Sequence, residues 1–255
     1  MPLILLFLSL LSFTAQADSG RIAVASNFAP AIKALAARYQ NESGRRLQLA
    51  FGSTGKHYAQ IRHGAPFDAF FAADVRRPQL LEQEKRAIPG SRFTYAIGRL
   101  ALWSSDPDMV KNASALDEAR FQHLALANPK LAPYGRAADE FLRATARREK
   151  LRSRLIVGEN ISQTYQFVAS GNAELGFVAW SQLKRPGHAP SGSWWLLPEN
   201  RYTPIKQQAI LLNNNPVARD FLTFVRSSRG RSIIQSFGYT LPALQPEPAN
   251  KKHAE

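Results

Sequence analysis

Short apolar segments alternate with segments of helical periodicity along almost the whole chain, and this alternation most constrains the fold. Residues 21–25, 47–51 and 67–72 have the composition of short buried strands, and residues 30–41 and 78–86 have the spacing of helices. Strands and helices that alternate at this spacing are typical of α/β proteins with a parallel sheet. The sequence therefore predicts an α/β fold with parallel strands.

The alternation continues through the second half of the chain. Residues 187–192 contain Gly, Pro and Ser and are predicted to form a surface loop. A chain of this length exceeds the usual size of one domain, so we expect two lobes that each bury their own core. Further strands are predicted at 94–97, 100–104, 124–127, 155–157, 175–180 and 208–212, and further helices at 134–150, 161–169, 216–227 and 231–237.

The first residues have the features of an export signal. Residues 3–13 are predominantly apolar, and Ala15-Gln16-Ala17 matches an A-x-A cleavage site. The apolar run is too short to span a bilayer, so we expect residues 1–17 to be the cleaved signal peptide of a secreted protein. Because the sequence has no cysteine, we expect neither a lipid-anchored thiol nor disulfides, and stability must come from packing.

The chain is strongly basic, with a formal charge of +14 from 33 Lys and Arg against 19 Asp and Glu. The basic residues are scattered, and no RNP, zinc-finger or basic-zipper pattern accompanies them. This distribution favours solvated helix faces over a nucleic-acid partner, while an adaptor for an anionic polymer or a membrane surface stays open. A general attraction for small anions is compatible with either interpretation.

The segment Phe51-Gly52-Ser53-Thr54-Gly55-Lys56 leads from a strand directly into a helix. Such a turn presents unpaired backbone N–H groups and the positive end of the helix dipole, which attract an anion. A nucleotide is not expected, because Ala50 stands where a phosphate loop needs glycine and His57 stands where it needs Ser or Thr. We expect Lys56 and His57 to be solvated on an exposed helix.

Motifs for catalysis or metal binding are missing from the sequence. No G-x-S-x-G elbow occurs, and the five histidines lack the spacing of metal ligands. Asp68 and Asp74 are interpreted as structural residues that flank a strand. We therefore expect no catalytic residue and no cofactor. An enzyme that acts on a phosphorylated substrate is the weaker alternative.

Four strand-to-helix turns carry small polar or helix-initiating residues, two in each half of the chain. Ligands of open α/β sheets bind at the carboxyl ends of strands, where these turns lie. Taken singly, each such residue is an ordinary helix N-cap, but four together indicate a shared ligand. Backbone N–H groups, hydroxyls and the Asn27 amide would supply uncharged donors, which favour a fully ionised tetrahedral oxyanion because protonated phosphate needs an acceptor. The four turns contain Ser26-Asn27, Ser53-Thr54, Pro133-Tyr134-Gly135 and Glu159-Asn160-Ile161.

Several motifs, spread over nearly the whole chain after the signal peptide, resemble those of one family. Val24-Ala25-Ser26-Asn27-Phe28, Gly52-Ser53-Thr54-Gly55 and the block of residues 64–74 resemble the periplasmic molybdate-binding proteins of ABC importers. The resemblance implies an α/β, two-lobed periplasmic binding protein fold of type II, with the ligand cleft between lobes that are joined by hinge strands. The implied division is a signal peptide at 1–17, a first lobe at 18–97 plus 206–245, a second lobe at 98–205 and a flexible tail at 246–255.

The resemblance also implies the site. Some family members have a ligand tyrosine directly after the Gly-Phe-Val strand, where this chain has Ala179, and Tyr134 is expected to replace that hydroxyl. Molybdenum would be present only within the bound oxyanion, with no protein atom as its direct ligand. The implied oxyanion site consists of Asn27 and Thr54, with Ser26 and Ser53 beside them, on one lobe, and of Tyr134 and the backbone of Ile161 on the other.

The function implied by the resemblance is that of a soluble periplasmic receptor. It would capture molybdate, and tungstate as well, and deliver the anion to a cognate ABC permease in the inner membrane. The implied receptor is a monomer that is not an enzyme and has no nucleic-acid partner. A receptor for sulfate or another tetrahedral oxyanion is the alternative.

Overall fold

The computed structural model describes residues 19–118 and 120–243, so the predicted signal peptide (1–17) and the predicted tail (246–255) lie outside the described residues. Within these residues no helix combines the length and the apolar character needed to cross a membrane. The strands are β1 (Ser19–Ala25), β2 (Arg46–Gly52), β3 (Ala69–Ala72), β4 (Phe93–Gly98), β5 (Leu100–Ser104), β6 (Leu124–Ala127), β7 (Leu155–Gly158), β8 (Leu175–Ala179), β9 (Ser193–Leu196) and β10 (Ile205–Leu211). The α-helices are α1 (Ala29–Ser43), α2 (Thr54–Arg62), α3 (Arg76–Gln83), α4 (Pro133–Ala144), α5 (Ile161–Ala169), α6 (Trp180–Leu183), α7 (Pro216–Arg226) and α8 (Ser228–Ser236).

The first sheet has the strand order β2-β1-β3-β10-β4. Strand β1 runs parallel to β2 and β3, whereas β10 is antiparallel to β3 and β4. Strand β4 therefore runs in the same direction as β1, β2 and β3, so the predicted parallel direction is correct for four strands and wrong for β10. The local pattern does not encode strand direction, because a strand buried on both faces is a continuous apolar run in either orientation.

The second sheet has the strand order β7-β6-β8-β5-β9 and is also mixed. Strand β6 is parallel to β7 and β8, and β5 is antiparallel to β8 and β9. We call each sheet with the helices packed on it a lobe, the first lobe containing β1 and the second containing β6. The predicted α/β class with two lobes is confirmed.

The chain passes between the two lobes twice within the described residues. Strand β4 of the first lobe leads into β5 of the second through the single residue Arg99, and residues 197–204 lead from β9 back to β10. These crossings lie close to the predicted boundaries at 97/98 and 205/206. The boundaries themselves stay a prediction.

An aromatic cluster holds the turn Ser26–Phe28, which follows β1 in the first lobe. Phe28 is fully buried, and its ring lies 4.6 Å from that of Tyr95, 5.5 Å from that of Tyr239 and 5.9 Å from that of Phe71. Full burial of a phenylalanine side chain contributes about 1.5–3 kcal/mol. Because Asn27 immediately precedes this anchor, the neighbouring polar turn is held rigidly at the end of β1.

Three elements of the second lobe differ from the prediction, and one of them is the short helix α6, which begins at Trp180 where a strand was predicted to end. The helix predicted at 134–150 ends at Ala144, and Ala146 has a φ of +55°, a left-handed conformation that cannot continue a helix. Strand β9 was not predicted, because its two tryptophans follow directly on a loop signal. Trp195 packs against the core of the second lobe, and this long-range contact stabilises the short strand.

Candidate functional site

Four helical segments begin at one small cavity between the lobes. The 3₁₀ turn Ser26–Phe28 and α2 approach it from the first lobe, and α4 and α5 approach it from the second. The first N–H groups of a helix have no partner within the helix, and the dipole end is positive, so four such ends create a site for an anion. The residues that line the cavity are Ala25, Ser26, Asn27, Gly52, Ser53, Thr54, Ala73, Ala132, Pro133, Tyr134, Asn160 and Ile161.

All six predicted site residues line this cavity. Within the described part of the chain, no residue that lines it carries a charge. The surrounding groups are hydroxyls, amides and backbone atoms, and they can only supply uncharged hydrogen bonds. An anion in the cavity would therefore be stabilised by dipoles without a neutralising cation.

Ser53 and Thr54 begin α2 and present two hydroxyl groups. The Ser53 Oγ is the N-cap and accepts a hydrogen bond from the Lys56 backbone N–H at 3.3 Å. The Thr54 Oγ1 is buried and accepts from the Ala73 backbone N–H at 3.0 Å. Because each oxygen acts as acceptor in its protein hydrogen bond, each O–H keeps its hydrogen for a ligand.

The Asn27 side chain is already engaged within the protein. Its Nδ2 donates to Gln207 Oε1 at 2.8 Å and to the Tyr239 hydroxyl at 3.1 Å, which uses both amide hydrogens. The expectation that this amide donates to the anion is therefore wrong for the arrangement observed. Asn27 lines the cavity and fixes the turn, and the donor that remains to this residue is its backbone N–H.

Tyr134 is the second residue of α4 and is buried, with only 1% of its surface exposed. Its hydroxyl oxygen accepts a hydrogen bond from Gln207 Nε2 at 3.2 Å, and this bond does not use the hydroxyl hydrogen. Burial raises the pKa of Tyr134 well above its ordinary value of 10.0. The phenol therefore stays neutral and acts as a donor at any physiological pH.

Helix α5 begins at Ile161 after the N-cap Asn160. The Asn160 Oδ1 accepts from the backbone N–H groups of Ser162 at 3.0 Å and Gln163 at 3.1 Å, and it also accepts from the Ser26 hydroxyl at 3.2 Å. This amide oxygen thus joins the two helix starts across the cleft. The backbone N–H of Ile161, at the first position of α5, has no acceptor within its own helix.

Gln207 on β10 connects the site residues, although the sequence reasoning missed it. This side chain is fully buried and contacts Asn27 and Tyr134 as described, and its Oε1 also accepts from the Tyr95 hydroxyl at 3.0 Å. The signal that could have identified it is a glutamine next to a predicted apolar strand, because a buried amide needs hydrogen-bond partners.

Further hydrogen bonds join the lobes around the cavity. Ser162 Oγ donates to the Ser26 carbonyl at 3.2 Å, and Ser181 Oγ donates to the Asn27 carbonyl at 3.1 Å. The Gly55 N–H donates to the Leu131 carbonyl at 2.9 Å. A Cβ on Gly55 would lie 3.0 Å from the Leu131 backbone, so glycine permits this close approach. The lobes are thus closed over the cavity.

His57 is not the solvated residue that we predicted, whereas Lys56 is about half exposed and also forms an ion pair. The Lys56 ammonium pairs with Glu159 of the second lobe at 2.8 Å, because closure brings the start of α5 next to α2. The His57 ring is buried at an angle against Phe67 and Phe70. Burial lowers its pKa below the ordinary value, so His57 is a neutral packing residue behind the site.

Asp68 and Asp74 have the structural roles that we predicted. Asp68 accepts from the Arg21 backbone N–H at 2.7 Å and from Asn213 Nδ2 at 2.8 Å. Asp74 is buried and pairs with Arg77 at 2.5 Å. In the described parts of the chain, no cluster of three or more His, Asp and Glu residues could hold a metal ion.

The fold agrees with comparisons against known proteins. Residues 21–240 match a family described as bacterial extracellular solute-binding protein. This chain belongs to that family. The solute-binding protein is 43% identical to the molybdate-binding protein ModA of Azotobacter vinelandii over 236 residues, which cover 91% of this chain and 94% of the relative. It is 41% identical to ModA of Rhodobacter capsulatus, with 90% and 91% covered.

Among solved structures, the solute-binding protein is similar to the periplasmic molybdate-binding protein of A. vinelandii. The TM-score is 0.85 at 37% identity, and the match covers 88% of this chain and 99% of that chain. The resemblance to the molybdate-binding family and the two-lobed binding-protein fold are thereby confirmed.

Proposed function

We propose that this solute-binding protein is a periplasmic receptor that captures molybdate and tungstate for an ABC importer. The observation that carries the proposal is the closed, uncharged cavity at which four helical segments from both lobes begin. The similarity to proteins named for molybdate binding supports the choice of anion.

The donors of the site are assigned from the geometry described above. The hydroxyl hydrogens of Ser53, Thr54 and Tyr134 are free to point at the anion, and backbone N–H groups of the turn at Ser26-Asn27 and of Ile161 complete the shell. Molybdenum is bound only as the centre of the oxyanion and has no direct protein ligand. Such a shell disfavours hydrogen phosphate, because its proton would meet donors where it needs an acceptor.

Binding and closure form one equilibrium in this proposal. Donors from the second lobe reach the anion only when the lobes are closed, so the ligand stabilises the closed state by its contacts to both lobes. The two crossings near residues 98–100 and 197–204 serve as the hinge. We propose that the lobe boundaries lie at 97/98 and 205/206, close to these crossings.

The proposed protein binds its ligand without chemical conversion. The cavity holds no carboxylate, imidazole or amine in the described chain, so a general base for an enzyme is not offered there. We further propose that residues 1–17 direct the chain to the periplasm and are removed. The receptor then acts as a monomer that delivers the anion to an inner-membrane permease, without a nucleic-acid partner.

Isothermal titration of residues 18–255 with molybdate, tungstate, sulfate and phosphate tests the function. We expect tight binding of molybdate and tungstate, weak binding of sulfate and no measurable binding of phosphate. Equal affinity for sulfate would overturn the specificity and favour the alternative of a general sulfate receptor. A steep loss of molybdate affinity with salt would instead indicate a basic adaptor, because uncharged donors release few counterions.

A further inference from the structure

The cavity lacks charged residues, so the force that brings a dianion to it must originate elsewhere. Uncharged donors act over a few ångströms, whereas fixed charges act over about 8 Å at physiological ionic strength. The cationic side chains near the cavity are therefore the candidates for capture. Lys56 and Arg77 are such residues, but both are paired with carboxylates, Glu159 and Asp74.

A second, larger depression adjoins the cavity. It has a volume of about 310 Å³, and we call it the outer groove. Ala73 and Pro133 line both the outer groove and the cavity, so the two depressions adjoin at these residues. The outer groove has walls from both lobes, since Ala73 follows β3 and Pro133 begins α4.

The outer groove is lined by three cationic side chains, Arg76, Arg136 and Lys206. In the described residues, no ion pair includes Arg76 or Lys206, and Arg136 has only a long contact of 3.7 Å to Glu140. The remaining lining is mainly apolar. Clefts with charges of one sign on low-dielectric walls concentrate their counterions and raise association rates by about 10 to 10³-fold.

Asp74 also lines the outer groove and Glu140 contacts Arg136, but these two carboxylates do not cancel the positive charge. Asp74 is buried and paired with Arg77, so it contributes little field. Glu140 accepts a hydrogen bond from the Thr203 backbone N–H at 2.7 Å in addition to its contact with Arg136. An excess of positive charge therefore remains at the opening next to a cavity that has none.

We propose that the outer groove is a capture site for the tetrahedral oxyanion. Before closure the dianion is attracted by Arg76 and Lys206 on the first lobe and by Arg136 on the second, and it enters the cavity past Ala73 and Pro133 while the lobes are apart. Closure then transfers the anion from charged groups to uncharged donors. The inference rests on the proposed function. In it, the charges of the outer groove determine the association rate of the anion, and the donors of the cavity determine its dissociation rate.

The test compares two triple variants of residues 18–255 that lose the same charge. The groove variant is Arg76→Gln, Arg136→Gln and Lys206→Gln. The matched control is Lys111→Gln, Lys150→Gln and Arg152→Gln, whose side chains are exposed near the ends of the second lobe's strands that lie away from the cavity. Thermal unfolding checks that both variants fold.

Stopped-flow tryptophan fluorescence measures association with sodium molybdate at low salt and again in about 0.5 M salt, where the Debye length is only about 4 Å. For the groove variant we expect an association rate reduced about 3- to 10-fold at low salt, with dissociation unchanged and the difference lost at high salt. The control should change less than about twofold.

Equal reductions in the two variants would overturn the capture site and assign the effect to net charge. A faster dissociation with an unchanged association rate would also overturn it, because the groove residues would then contact the final bound anion. Failure of the unaltered protein to bind molybdate would instead overturn the proposed function. The two failures are therefore distinguishable.

Discussion

Replacement of Thr54 by valine removes one hydroxyl from the site and keeps the shape of the side chain. Thr54 is 1% exposed, and its Oγ1 accepts from the Ala73 N–H at 3.0 Å. Its hydroxyl hydrogen is the one that the anion would accept. The substitution therefore removes an interaction with the ligand and an interaction within the protein, and the two can be measured separately.

The magnitudes follow from these two contacts. A hydrogen bond to a charged group contributes about 1.5–3 kcal/mol, so Thr54→Val should weaken molybdate binding about 10- to 150-fold. The Ala73 N–H is left without its acceptor in a buried position, which costs about 1–3 kcal/mol in the free energy of unfolding. The loss of stability should appear in the ligand-free protein.

The matched control is Thr54→Ser, which keeps the hydroxyl and should lose little affinity. Calorimetric titration measures the affinity for molybdate, and urea unfolding without ligand measures the stability. If Thr54→Val folds and binds molybdate as tightly as the unaltered protein, the hydroxyl does not contact the anion and the assignment of the site is wrong.

Three further predictions test the surroundings of the site. Gly98→Ala would place a Cβ 2.0 Å from the Tyr134 hydroxyl oxygen and force that side chain to shift. We therefore expect a lower affinity for molybdate and a free energy of unfolding in urea that is about 1–3 kcal/mol lower. Unchanged values would show that the hydroxyl is free to move. Lys56 and Glu159 are about half exposed, so Lys56→Gln should change the calorimetric affinity for molybdate less than about fivefold. A loss of affinity above about 30-fold would show that Lys56 contacts the anion directly. Burial lowers the pKa of His57 below its ordinary value of 6.5, so the unfolded chain binds a proton more readily than the folded chain does. The free energy of unfolding should therefore decrease as the pH falls below 6.5. His57→Gln has no titrating group at this position, so its free energy of unfolding should fall less than that of the unaltered protein between about pH 7.5 and pH 5. An equal fall in both proteins would refute this.

The helix starts could be predicted from the sequence because their chemistry is local. Ser53 is the N-cap of α2 and Asn160 is the N-cap of α5, and each makes hydrogen bonds within three residues of itself. A helix start can therefore be recognised in the sequence where an N-cap residue follows a predicted strand. The position of the cavity then followed from the rule that strand ends meet at one edge of a sheet.

The features that were missed depend on contacts between distant residues. The Asn27 amide donates a hydrogen bond to Gln207, which lies 180 residues further along the chain, and Lys56 forms an ion pair with Glu159, 103 residues away. The antiparallel placement of β10 has the same origin, because that strand returns from the second lobe. Local patterns cannot specify such pairings, so the sequence could predict which residues line the cavity but not which of their atoms stay free.

The most direct test of the proposed site is a crystal structure of residues 18–255 with molybdate, measured at a wavelength where molybdenum scatters anomalously. We predict a single anomalous peak in the cavity, within hydrogen-bond distance of the Thr54 and Tyr134 hydroxyls and with no Lys or Arg nitrogen in contact. A peak outside the cavity, or an arginine or lysine that binds the anion directly inside it, would contradict the site of uncharged donors.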